Sequence, residues 1–216
     1  MTDNLQSVFN RIAPSWYNYR HHTIFRKELE DLALEWRGGK LLNLGCGHGA
    51  DFLPFAGKFE LHGIDFSEEM ITLARKYAAK YHFEPQLAIT DISALPYSND
   101  GFDYAIAVAT YHHLKTPQRL IALQELNRVL KPGAYAFITV WNRRQMKFWF
   151  KGSEIMVPWR TKETTLYRYY HPFTYGEIIK LAKHAGFKVE KAFAENDFQY
   201  PLKYFSKNIC LILKKP

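Results

Sequence analysis

Three glycines, Gly45, Gly47 and Gly49, alternate through Gly45-Cys46-Gly47-His48-Gly49, directly after the apolar run Leu41 to Leu44. A strand ending this way brings backbone close to a ligand, because side chains at those positions would block the approach. A helix following such a turn offers N–H groups with no partner of their own. Asp65 comes 16 residues after Gly49, at the end of a second apolar run. A carboxylate placed there accepts hydrogen bonds from both hydroxyls of a ribose. Glycine turn and acid together predict a nucleoside-containing cofactor. Gly45-x-Gly47-x-x-Ala50 also satisfies the relaxed dinucleotide fingerprint, so on these residues alone a nicotinamide cofactor stays open.

Helix and strand signals alternate around this turn, as in a parallel sheet covered by helices on both faces. Ile24 to Trp36 reads as a helix, with apolar Phe25, Leu29, Leu32 and Trp36 on one face and Gly38-Gly39 as its stop. Leu41 to Leu44 is the first strand and Glu60 to Ile64 the second. Ser67 caps a helix whose first turn carries Glu68 and Glu69 at the positive end of the dipole. Gln86 to Thr90 is the third strand, and Phe102 to Ala109, almost wholly apolar, is a central fourth. Thr116-Pro117 predicts a cap and a first-turn proline for a helix to Leu130. Lys131-Pro132-Gly133 turns into a fifth strand, Tyr135 to Trp141. Thr174 and Glu177 form a capping box for a helix closed by Gly186, and Phe187 to Phe193 and Asn208 to Leu213 read as the last strands. Asn142 to His171 breaks this rhythm. About thirty residues without periodicity inside a compact domain are usually functional, and a substrate-facing insertion is expected there.

The later motifs separate the two cofactors. Asp91-Ile92-x-x-Leu95-Pro96-Tyr97, then Phe102-Asp103, a strand running into His112-His113-Leu114, and Leu130-Lys131-Pro132-Gly133 follow in order. Together with the glycine turn they resemble the class I methyltransferases that use S-adenosylmethionine and release S-adenosylhomocysteine. The resemblance implies an α/β, Rossmann-like fold with a seven-stranded, mostly parallel sheet whose last strand is antiparallel. It implies donor contacts from Asn43, Gly45, Gly47, Asp65, Phe66, Asp91, Ile92 and Ala109. Asp65 would hold the ribose, and Asp91 with the Ile92 backbone the adenine. Asn43 departs from the pattern, which has an acid two positions before the first glycine. An amide oxygen there still accepts a hydrogen bond, weaker than a charge-assisted one by roughly 1 kcal/mol.

The residues outside the donor motifs bear on the acceptor. Val157-Pro158-Trp159, Arg168-Tyr169-Tyr170-His171-x-Phe173, His112-His113, Val140-Trp141 and Ile12-Ala13 with the downstream Arg20 resemble one family. These are the tRNA methyltransferases that esterify carboxymethyluridine at the wobble position, a yeast enzyme and the methyltransferase domain of an animal AlkB homologue among them. The resemblance implies a single domain over residues 1–216, with an N-terminal cap over 1–37 and a substrate-facing insertion over 142–172. It implies acceptor contacts from Tyr17, His113, Trp159, Tyr169, Tyr170 and His171. It also implies a tRNA anticodon loop as partner and a small zinc-binding activating protein as a second one. The insertion reads the same way: Arg143, Arg144, Lys147, Lys151, Arg160, Lys162 and Arg168 stand against only Glu154 and Glu163, interleaved with aromatic residues. Cations pair with phosphates and exposed rings stack on splayed-out bases.

A carboxymethyl acceptor makes modest chemical demands. Its pKa is about 4, so it is an anion at neutral pH and needs no general base. Catalysis is then positioning, with nucleophile, methyl carbon and sulfur in line and water excluded. A guanidinium orients a carboxylate bidentately, and Arg20 and Arg168 are the candidates. His112 and His113 lie where the fourth strand opens onto the methyl group; one is expected to orient the acceptor by hydrogen bonding and the other to be structural. Trp16, Tyr17 and Tyr19 could cover the donor, a ring face attracting the sulfonium, or form the apolar face of a short helix.

Composition limits the alternatives. At 216 residues the chain fits one domain with a sizeable core, and its net charge of +8 suits an anionic partner. Cys46 and Cys210 lie far apart without a CxxC, which predicts neither disulfide framework nor metal site. No stretch reads as a signal peptide or a membrane span, so a cytoplasmic protein with no membrane partner is expected. Two rivals remain. Val8-Phe9-Asn10-x-Ile12-Ala13-Pro14 also resembles the start of quinone C-methyltransferases, whose chemistry needs a base such as His112. A donor-binding subunit that needs its partner for activity is the other.

Overall fold

The computed structural model describes residues 4–161, 164–196, 198 and 202–216. In chain order its elements are α1 (Leu5–Tyr19), α2 (Arg26–Trp36), β1 (Gly39–Leu44), β2 (Phe59–Asp65), α3 (Glu68–Tyr81), β3 (Gln86–Ile89), β4 (Phe102–Val108), α4 (Gln118–Val129), β5 (Leu130–Trp141), β6 (Ile155–Arg160), β7 (Thr165–Tyr170), α5 (Tyr175–His184), β8 (Lys188–Ala194) and β9 (Asn208–Lys214). Seven strands form one sheet in the order β3-β2-β1-β4-β5-β9-β8. β1 to β5 pair in parallel, and β9 runs antiparallel to both β5 and β8. This is the class I methyltransferase sheet that the motif order implied.

Alternation along the central strands builds a core on each face. Leu42, Leu44, Ala105, Ala107, Ala136 and Ile138 point to the side covered by α4 and α5, packing with Leu123, Leu126, Ile178 and Ala182. Leu41, Ile106 and Phe137 point to the other side, against Leu29 and Trp36 of α2 and Ile71 and Ala78 of α3. The chain leaves β1 toward β2 and β3 on one side, and β4 and β5 fill the other. The order therefore reverses between β1 and β4, and a crevice opens beyond their C-terminal ends.

Several elements differ from expectation. The glycine turn leads into a short 3₁₀ helix, Ala50–Phe55, not an α-helix, with Pro54 inside it. Pro117 is itself the N-cap of α4; the Thr116 hydroxyl caps nothing and accepts from Arg119 Nη1 instead. Lys131-Pro132-Gly133 lies inside β5, where the pairing with β4 shifts register between Phe102 and Tyr104. The Thr174–Glu177 capping box forms as predicted, the Thr174 hydroxyl accepting from the Glu177 N–H at 3.2 Å.

The largest addition lies in the insertion. β6 and β7 form an antiparallel hairpin, pairing Ile155 with Tyr170 through Arg160 with Thr165; Lys162 and Glu163 fall outside the described residues. Leu166 of β7 joins Val8, Ile12 and Ala13 of α1 and Met70 of α3 in a third cluster. Trp159 Nε1 donates to Ser15 Oγ at 2.9 Å, tying hairpin to helix. α1 and the hairpin thus form a roof over the crevice.

Candidate functional site

The crevice under this roof holds a cavity of about 580 Å³. At its floor the turn after β1 has left-handed backbone at Gly45 and Gly47, φ +66° and +53°. A Cβ on Gly45 would lie 2.5 Å from Thr110 Cγ2, so only glycine fits there. Asp65, at the end of β2, is buried; Oδ2 accepts from the Gly47 N–H and Oδ1 from the Ser67 N–H, both at 2.9 Å. Burial nevertheless pushes its carboxyl up to about 6. Phe66, Asp91, Ile92 and Ala109 continue the same wall.

Beside the turn sits a cluster that sequence reasoning missed: His48, Asp51 and Thr23 join Arg20 in the cavity wall. Burial raises Asp51 to about 6, opposed by a hydrogen bond from Thr23 and the charge of Arg20. Burial lowers His48 to about 4, so its ring is neutral. An acid immediately after the Gly45-to-Ala50 turn was the available signal for Asp51. Arg20 Nε and His48 Nε2 are buried with no hydrogen-bond partner among the described residues, and both belong to side chains lining the cavity. A built anionic and cationic set with orphaned nitrogens, beside a backbone cradle, fits a zwitterionic nucleoside ligand.

Arg168, only 5% exposed, also lines the cavity, and its guanidinium shares the Trp16 ring with that of Arg20. Its guanidinium lies 5.0 Å from the Trp159 ring, 5.3 Å from Tyr170 and 5.6 Å from Trp16, and its Nε has no partner among the described residues. Burial pulls its pKa below the ordinary arginine value. Tyr170 stacks on His112 with ring centres 4.8 Å apart and lies 4.3 Å from both Trp141 and His113. His112 Nδ1 accepts the Trp141 N–H at 3.2 Å, so its ring hydrogen sits on Nε2. His113 Nδ1 bonds the Tyr169 carbonyl oxygen at 3.0 Å and therefore donates. Burial drives both imidazoles far below the usual histidine range, His113 to about 3. Both are neutral at physiological pH.

Thirteen of the residues singled out from sequence line this one cavity: Arg20, Gly45, Gly47, Asp65, Phe66, Asp91, Ile92, Ala109, His112, His113, Trp159, Arg168 and Tyr170. Four do not, each for a local reason. Asn43 points to the α2 side of β1, wholly buried, with neither amide atom partnered among the described residues. Strand alternation turns Tyr169 and His171 away from the face carrying Arg168 and Tyr170. The Tyr169 hydroxyl instead donates to Glu154 and accepts from Arg119, both at 2.8 Å, and His171 pairs with Glu177. Tyr17 packs edge-on against His48 and Tyr77, behind the wall.

A methyltransferase domain model matches residues 41–133. The chain is 33% identical over 159 residues to the 2-phytyl-1,4-naphtoquinone methyltransferase of Nostoc punctiforme, covering 66% of each chain. It is 30% identical to the tRNA (carboxymethyluridine(34)-5-O)-methyltransferase of Mus musculus over 66% of this chain but only 20% of that one. A protein of Encephalitozoon cuniculi named as a methyltransferase is 30% identical, with 79% of each covered. A Haloferax volcanii methyltransferase, solved in complex with a methyltransferase activator, superposes with a TM-score of 0.73 at 17% identity, covering 99% of this chain and 98% of that one. In the described residues no helix is long and apolar enough to cross a membrane. With this sheet order, this glycine turn and these relatives, the chain belongs to the class I S-adenosylmethionine-dependent methyltransferases.

Proposed function

We propose that the chain forms the methyl ester of 5-carboxymethyluridine at the tRNA wobble position. The observation that carries this reading is Arg168: a buried guanidinium with an unpaired Nε, walled by Trp16, Trp159 and Tyr170. An unpaired buried charge is costly, and an acceptor carboxylate would relieve that cost with a bidentate pair. The aromatic walls would hold the planar base and keep water out.

Asp65 would hold the donor ribose, Asp91 and the Ile92 backbone the adenine, and Gly45 and Gly47 would pass beneath its methionine part. When bound, S-adenosylmethionine supplies a methyl group on a sulfonium. The chain's own residues then orient and exclude water. Arg168 holds the carboxylate, and His112, with hydrogen on Nε2, can donate to it. Nothing needs to take a proton. Arg20 lies between the two groups: its charge reaches both Asp51 and Arg168, and its guanidinium shares the Trp16 ring with that of Arg168, so it would stand beside Arg168 as a second cation for the carboxylate. The cap over 1–37 and the insertion over 142–172 would supply the roof.

Similarity to the naphthoquinone enzyme favours a second reading, methylation of a small aromatic carbon acid. That chemistry requires a base. The ring nitrogen of His112 that lacks hydrogen is occupied by the Trp141 N–H, and His113 titrates near 3. Both are poor bases at neutral pH, which favours an acceptor that arrives as an anion. An activating partner like the one seen with the Haloferax protein is part of the proposal. The test is methyl transfer to tRNA carrying carboxymethyluridine, against tRNA lacking it. Equal labelling of both, or labelling of neither with an activator present, overturns this reading.

A further inference from the structure

The two halves of the insertion face opposite ways. β6 and β7 turn side chains into the cavity, whereas the segment before them turns outward: Phe150 is 100% exposed and Trp149 57%. Trp149 is held in place, its Nε1 donating to the Arg144 carbonyl at 3.0 Å. A distant segment joins this surface. Gln145 Nε2 donates to the Lys207 carbonyl at 2.7 Å, Asn142 Nδ2 donates to the Tyr204 carbonyl at 2.8 Å, and the Arg144 guanidinium lies 5.7 Å from the Tyr204 ring. Arg144, Lys147, Lys151 and Lys207 converge here, and none forms a salt bridge with an acid among the described residues. The charges of Lys151 and Lys207, added to burial, hold Lys147 below the ordinary lysine range. Lys147 Nζ stands 4.4 Å from the Trp141 ring, itself a cavity wall, so the patch begins at the cavity's rim.

We propose that this patch, Trp149 and Phe150 with Arg144, Lys147, Lys151 and Lys207, holds the single-stranded nucleotides flanking the one that enters the cavity. The inference rests on the acceptor being part of an RNA. A strand that feeds one nucleotide into the crevice must leave its neighbours on the rim, where these residues stand. Phosphates relieve the crowding of unpaired cations, and every base offers a face to an exposed ring. Charge complementarity decides the occupant. Lys147 and Lys151 bracket the exposed rings of Trp149 and Phe150, with Arg144 before them and Lys207 joining from the distant segment, so four cations without an acid among the described residues surround two exposed rings. A lipid surface would favour an indole N–H free for headgroups, whereas that of Trp149 is taken up by the Arg144 carbonyl.

Binding of a fluorescent, unmodified anticodon stem-loop RNA tests this, with Phe150→Ala and the double variant Lys151→Glu/Lys207→Glu. Each is expected to weaken binding at least tenfold while donor affinity stays within twofold, which shows the fold intact. In the double variant the slope of log affinity against log salt should fall by at least about 1.4, at about 0.7 per lost phosphate contact. Unchanged RNA affinity in both variants overturns the proposal. So does a loss confined to phosphatidylserine vesicles, which would make the patch a membrane surface. If the variants lose RNA while the wild type transfers nothing to carboxymethyluridine, the patch stands and the acceptor assignment falls. Transfer with variant-independent RNA affinity does the reverse.

Discussion

On the proposed reading, recognition of a carboxylate turns on Arg168, where an anion would replace the water that the guanidinium gave up on burial. Arg168→Ala is expected to keep donor affinity and to lower kcat/KM for the acceptor at least a hundredfold, about 2.7 kcal/mol. Arg168→Lys should recover little, since a point charge lacks the two-pronged fork. Full activity in either variant would remove the clamp. Asp65 carries the pH dependence of donor binding. Its buried carboxyl titrates near 6 in the donor-free protein, and Asp51 near the same value. Both folded-state values are raised above the ordinary carboxylate range, so the protonated forms favour the donor-free fold. Free-protein stability therefore falls as pH rises from about 4 to 6 and levels off above that. A ligand bound by the ionised Asp65 carboxylate behaves oppositely: calorimetric donor affinity should be flat above about pH 7 and weaken roughly tenfold per pH unit below 6, and up to about a hundredfold if Asp51 must be ionised as well. Affinity unchanged down to pH 5 would contradict this. Asn43 gives the complementary expectation. It is buried and outside the cavity lining, so Asn43→Leu should leave donor affinity within twofold.

At the scale of elements, two connections make the site. One is the turn after β1, where Gly45 and Gly47 are both left-handed but only Gly45 is crowded, by Thr110. Gly47→Ala should cost about 1–2 kcal/mol from backbone alone. Gly45→Ala adds a clash at 2.5 Å and should cost clearly more. Thermal unfolding of the two variants reads the difference, and equal costs would mean that Thr110 moves aside. The other connection is the roof. Trp159→Phe deletes the hydrogen bond to Ser15 while keeping an aromatic wall, a loss of about 1 kcal/mol. Because Trp159 flanks Arg168 at the acceptor end, the variant should raise acceptor KM and leave donor affinity nearly unchanged. The hairpin that carries Trp159 and Arg168 was the element hardest to read. β6 alternates half-buried and exposed residues, so its pattern shows neither a core stripe nor a polar face. Its partners are α1 and the cavity, which only the tertiary structure brings together.

Across the whole molecule, the sheet and the turn at the cavity floor were legible, and the insertion was legible by residue type more than by placement. Sheet order, the glycine turn, Asp65 and Asp91 follow from local rules: apolar runs, a turn only glycine can make, an acid at a strand end. Tyr169 and His171 were misplaced because alternation within β7 fixes which residues share a face only once the strand is known. Asp51 and His48 were missed because their meaning depends on Arg20 and Thr23, drawn in from the N-terminal segment by packing. The same packing sets function at this scale. The glycine turn and Arg168 line one cavity, under a roof contributed by α1 and the hairpin.

The most direct test of that arrangement is mass spectrometry of nucleosides after incubating the protein and an activator with deuterated-methyl S-adenosylmethionine and tRNA bearing carboxymethyluridine. The expected product is a labelled, base-labile methyl ester on the wobble uridine, abolished by Arg168→Ala. A label that resists base, or that sits on carbon, would contradict it.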